Sequence, residues 1–161
     1  MDILTLAREL REAADLVVTD NEGRPLILVE IEPSMGHELS SLARLREHQR
    51  RFDFPFAMLA DPERIWLLGP GESAEPIANF STLETLKSYR SIHRNPSFLS
   101  KKDISFPLGR WLMASTEEFL TDRHENYCCF KKIGLAERMI WGHVLTEEML
   151  FQKAGEVEHF F

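Results

Sequence analysis

The chain has 161 residues, 43% of them hydrophobic and 28% charged, the make-up of one globular domain with a substantial core. Its formal net charge of −7 argues against a protein whose whole surface coats nucleic acid, and no apolar run reaches the length of a membrane span. Cys128 and Cys129 are adjacent, which disfavours a disulfide between them; with an N-terminus that lacks the pattern of a secretory signal, the expectation is a cytoplasmic protein with reduced thiols.

In chain order, residues 3–13 have apolar positions at helical spacing and predict a short amphipathic helix. Residues 14–33, ADLVVTDNEGRPLILVEIEP, predict a β-hairpin: strands at 14–19 and 25–32 flank the turn signal Asp20-Asn21-Glu22-Gly23. With Glu22 and Gly23 at the centre of the turn, Val18 faces Ile27, Leu16 faces Val29 and Asp15 faces Glu30, with Glu32 on the same face two residues on. Three carboxylates on one edge of an apolar hairpin repel one another unless positive charge lies between them, and a divalent cation with oxygen ligands meets that need. The alternative is that strand ends carry acids simply because they reach water.

Pro33 to Gly36 break the second strand. HELSSLARLREHQRRF, residues 37–52, then predicts a helix with Leu39, Leu42, Leu45 and Phe52 on its core face and a basic outer face. FPFAMLAD (54–61) reads as a buried strand, Asp61-Pro62-Glu63-Arg64 as a turn and IWLLG (65–69) as a further strand. Residues 70–81 read as a loop or linker. Helical stretches follow at 82–94, 107–121 and 134–153, and Trp66, Trp111 and Trp141 are expected in the core. The order helix, strand, strand, helix, strand, strand implies an α/β (α+β) fold with a mixed central sheet flanked by helices. The expected organisation is a core at 1–70, a linker at 71–81 and a helical extension at 82–161, packed together in one compact domain.

The histidines form neither an H-x-x-x-H pair nor a zinc pattern with the cysteines. His37, five residues past Glu32, is a further candidate near the acids. G-x-S-x-G is absent, and Gly69-Pro70-Gly71 lacks the ending of a phosphate-binding loop.

Taken together, A-D-L-V-V around Asp15, the turn, V-E-I-E at 29–32, the helix, and PFAMLADPE at 55–63 with RWL at 110–112 resemble the PD-(D/E)xK nuclease superfamily. The resemblance implies a restriction-endonuclease-like core and Mg²⁺ or Mn²⁺ held by Asp15, Glu30 and Glu32 as the catalytic set. It also implies hydrolysis of phosphodiester bonds in nucleic acid, DNA in the first place, with homodimerisation as a simple route to cutting both strands. Glu32 stands where the superfamily usually has lysine, so positive charge must come from elsewhere, with Arg46, Gln49 and Arg50 on the 37–52 helix as candidates for contacting the nucleic-acid backbone. The superfamily also places a strand before the aspartate-bearing one, for which residues 1–13 leave little room; that strand is missing, supplied by a partner subunit, or found later in the chain. A catalytically degenerate descendant acting as a binding or regulatory module is the alternative reading.

Overall fold

The computed structural model describes residues 9–10, 13–89, 100–117, 126–146 and 148–149. The hairpin pairs β1 (Leu16–Thr19) with β2 (Pro25–Ile31). Asp20 builds its turn: Oδ1 accepts from the backbone N–H groups of Glu22 and Arg24, both at 2.9 Å, and Oδ2 pairs with Arg24 Nε at 2.9 Å. Gly23 donates to the Asp20 carbonyl and holds φ at 78°, a left-handed position natural to glycine. The turn proper is therefore Asn21-Glu22, with Gly23 as a bulge residue and Thr19 opposite Pro25. One step further the register is as the sequence predicts, with Val18 opposite Ile27 and Leu16 opposite Val29.

After β2 come α1 (Glu38–Arg51), β3 (Phe56–Ala60), β4 (Arg64–Leu68), β5 (Ala78–Ser81) and α2 (Thr82–Leu86). Then follow α3 (Lys101–Thr116), α4 (Tyr127–Lys132), α5 (Leu135–Met139) and β6 (His143–Thr146). The six strands form one mixed sheet in the order β5-β4-β3-β2-β1-β6, in which β2 and β3 are parallel and the other neighbours antiparallel. That parallel pair needs a crossover, and α1 supplies it. Asp61 closes the β3–β4 turn by accepting from the N–H groups of Glu63 and Arg64 at 2.7 Å.

Alternation along the strands divides the core into two layers. Val17, Leu28, Ala57 and Leu59 meet Leu42 and Leu45 of α1, together with Leu10, Phe52 and Phe54. Val18, Ile27, Val29 and Met58 meet Ile104, Leu108, Trp111 and Leu112 of α3 on the opposite face, where Phe130 and Met139 also pack. The class is α+β, a six-stranded mixed sheet flanked by helices. Among the described residues no helix is long and apolar enough to cross a membrane.

Several sequence expectations need correction. Residues 78–81, read as part of a linker, add β5 to the sheet edge and bury Phe80. The helix expected at 107–121 begins at Lys101, because Ser100 and Asp103 form a reciprocal capping box and the helix carries Pro107 inside it. The helix expected at 134–153 stops at Met139; Trp141 turns left-handed (φ 63°) and β6 follows, pairing Val144 with Val18. Val144 and Leu145 are buried in opposite layers, so the apolar residues that matched a helical period serve a strand instead. The sheet thus draws β5 and β6 from the stretches read as linker and helical extension. Trp111 is fully buried, whereas Trp141 is exposed. The expected helices at 3–13 and 82–94 fall partly outside the described residues.

Gly142 sits where the chain turns into β6, and a Cβ there would collide with the Thr19 carbonyl oxygen. Gly142→Ala should therefore destabilise the fold by about 2 kcal/mol or more through overpacking against backbone, seen as a lower midpoint in urea denaturation.

Candidate functional site

Asp15 and Glu30 share the sheet face of Val17 and Leu28, the face covered by α1, as hairpin arithmetic requires. Asp15 lies just before β1, donates its own N–H to the Val29 carbonyl at 2.9 Å, and accepts the Ile31 N–H on Oδ2 at 2.7 Å. Its carboxylate thereby bridges the strand that bears Glu30. Glu32 follows at the end of β2, where its N–H extends the ladder to the Ala60 carbonyl.

The three acids line one open cleft of about 430 Å³ at the end of the sheet, and Arg44, His48 and Lys101 line it with them. Lys101 Nζ lies 2.9 Å from Asp15 Oδ1, reaching round the sheet end from the first turn of α3. His48 Nδ1 lies 2.8 Å from Glu30 Oε1, and Arg44, one helical turn earlier on α1, stands at the rim. Glu30 is only 7% exposed, and its other oxygen, Oε2, is buried without a hydrogen-bond partner among the described residues. Burial pushes the Glu30 carboxyl above its ordinary value and Asp15 adds to the rise; together they outweigh the opposing pull of His48 and Arg44. Glu32 is half-buried and turns back to accept the Ser34 N–H at 3.1 Å.

The basic side chains that meet the acids are thus Lys101, His48 and Arg44. Arg46 and Gln49 are buried elsewhere on α1. Arg46 donates to the carbonyls of Gly69 and Ser73 and to Gln49 Oε1, and Gln49 Nε2 donates to the same Gly69 carbonyl at 3.2 Å. Two of the three residues put forward for contacting a nucleic-acid backbone are therefore spent clasping the loop after β4. Arg50 is exposed on α1 and is not among the residues lining the cleft. His37 is exposed ahead of α1 and is also not part of the lining.

His48 and Arg44 were open to sequence reasoning, because a helix crossing between β2 and β3 must present one i, i+4 row toward the end of β2. No local signal pointed to Lys101, which the fold brings from the opposite layer.

Among the described residues no three His, Cys, Asp or Glu side chains form a group able to hold a metal ion. Mg²⁺, however, characteristically takes one or two carboxylates, with waters and substrate phosphates filling the remaining positions. Asp15 and Glu30, one of them with an unpartnered buried oxygen, fit that smaller requirement. Comparisons of the chain with protein-family models, curated proteins and solved structures return no match.

The raised Glu30 value carries a pH signature. The folded chain holds this proton more tightly than the unfolded chain, so the contribution of Glu30 to stability is complete below the ordinary value of 4.5 and is lost as pH rises through the raised value. Glu30→Gln should raise the thermal midpoint at neutral pH, and the gain should close as pH falls below that ordinary value. His48→Ala, which removes the partner of Glu30 Oε1, should cost about 1–3 kcal/mol at neutral pH and less in acid. Thermal unfolding across a pH series checks both.

Proposed function

We propose that this chain is a metal-dependent phosphodiester hydrolase acting on nucleic acid, DNA in the first place, as its resemblance to the PD-(D/E)xK superfamily implies. One observation carries the reading: Asp15 and Glu30 line an open cleft with Lys101 beside Asp15, and a buried oxygen of Glu30 lacks a partner among the described residues. Asp15 and Glu30 would hold Mg²⁺ or Mn²⁺, with Glu32 at the edge of the site. Bound there, the metal would lower the pKa of a water and neutralise charge on the phosphate oxygens.

The residues of the chain supply the rest. Lys101 provides the positive charge that Glu32, in the usual lysine position, does not. From its place 2.9 Å from Asp15 Oδ1, its ammonium would stabilise negative charge on a phosphate oxygen bound at the site. Arg44 at the rim attracts the backbone, and His48 fixes the orientation of Glu30. The position of β6, antiparallel beside β1, supports the fold resemblance, because it lies where the superfamily places the strand for which residues 1–13 leave little room.

A second reading has its own observation. Lys101 and His48 already compensate Asp15 and Glu30 without a metal, as expected of a degenerate nuclease fold used as a binding or regulatory module.

Calorimetric titration with Mn²⁺ separates the two. The hydrolase should bind Mn²⁺ in the micromolar range and lose binding in Asp15→Asn and Glu30→Gln. Lys101→Ala should bind Mn²⁺ more tightly, because the ammonium competes for Asp15, yet cleave nucleic acid about 10²-fold more slowly or worse. No heat in the wild type and no cleavage with Mg²⁺ would establish the module reading instead.

A further inference from the structure

A second groove, of about 330 Å³, adjoins the acid cleft and shares Asp15 and Lys101 with it. Leu16, Lys102, Ser105, Phe106, Thr146 and Glu148 complete its lining. We propose that this groove receives an unstacked base of single-stranded nucleic acid, with the Phe106 ring as its platform and the adjoining phosphate directed toward Lys101 and the acids. The inference rests on the hydrolase reading and names the substrate class of that same site.

Phe106 is 60% exposed on a helix that buries Ile104, Leu108, Trp111 and Leu112 on its other side, so its ring is not needed for the core. Lys102 lies four residues earlier on the same helix face, beside the ring. Lys101 and Lys102 occupy the first turn of α3, where the helix dipole disfavours cations. Both lysines therefore stand at the helix end where they stabilise it least, and both face an aromatic groove next to a carboxylate site. That is the chemistry of a phosphate followed by a base: positive charge for one, an aromatic face for the other, and the Ser105 and Thr146 hydroxyls as hydrogen-bonding groups for base edges. The volume falls at the lower end of the roughly 300–1,000 Å³ of small-ligand pockets. Selection for single strands follows from stacking itself. A base inside a duplex has both faces covered by its neighbours, so a ring beside the cleaved phosphate contributes only when the strand is unpaired.

The test is fluorescence anisotropy with short labelled oligonucleotides of one sequence, single-stranded and duplex, in deoxy and ribo form. Ca²⁺ replaces Mg²⁺ throughout. The wild type should bind the single strand at least about tenfold more tightly than the duplex. Phe106→Ala should weaken single-strand binding roughly 5- to 150-fold and leave duplex binding nearly unchanged, while Phe106→Trp should retain affinity and show indole quenching on binding. The tighter of the deoxy and ribo arms identifies the natural strand. Equal binding by wild type and Phe106→Ala, or a preference for duplex, overturns the proposal. A wild type that binds none of the oligonucleotides also overturns it, in favour of a protein partner on Phe106. Cleavage assays with Mg²⁺ keep the two readings apart. Phe106-dependent binding without cleavage retires hydrolysis alone, and cleavage indifferent to Phe106 retires the base groove alone.

Discussion

Everything at the sheet end depends on one turn sixteen or so ångströms away along β1, about five residues at roughly 3.3 Å each. Asp20 gathers two amides and a guanidinium around its carboxylate, and burial, which would raise its pKa, is outweighed by the N–H and side chain of Arg24 and the N–H of Glu22. The turn so fixed sets Thr19 opposite Pro25, and a bulge just beyond it, with Leu26 as the extra residue of β2, shifts the pairing so that Val18 meets Ile27 and Asp15 comes opposite Glu30. A slip by one would carry Asp15 to the α3 layer while Glu30 stayed under α1. The opposition of the two acids is a property of the turn and the bulge together before it is a property of the site.

The acids are served by both layers of the fold. α1 brings His48 and Arg44 to Glu30, and α3 sends Lys101 to Asp15. Neither helix alone neutralises the pair. Among the described residues Glu30 nonetheless keeps one buried oxygen unsatisfied, a cost that a purely structural carboxylate would avoid by turning toward solvent or a donor. Its neighbour Glu32 does find a donor, in the Ser34 amide, which is why the two glutamates of V-E-I-E differ so much in environment.

What was legible in the sequence was local. The register of Leu16 to Val18 was as expected, although through a turn at Asn21-Glu22 and a bulge at Leu26 that the sequence did not reveal, and the β3–β4 turn followed from Asp61-Pro62-Glu63-Arg64, whose aspartate does the hydrogen bonding. Elements defined by distant partners were not legible. β6 has apolar spacing that suits a helix, and only the Thr19 carbonyl and β1 decide for a strand. Arg46 looked like one more surface cation beside Arg44 and Arg50. It is buried because the carbonyls of Gly69 and Ser73 converge on it, a fact of tertiary structure. Lys101 was invisible for the same reason, since its partnership with Asp15 exists only once α3 is docked.

The place of β6 beside β1 has a consequence for how the molecule is made. The strand next to Asp15 has a free edge until residues near the end of the described chain emerge and pair with it. Contacts of such long sequence separation form late and slowly, because the loop must close before pairing rewards it. During synthesis the β1 edge, with Leu16, Val17 and Val18 exposed, is open to pairing with other nascent chains. The chain therefore covers the β1 edge late, when β6 pairs with it.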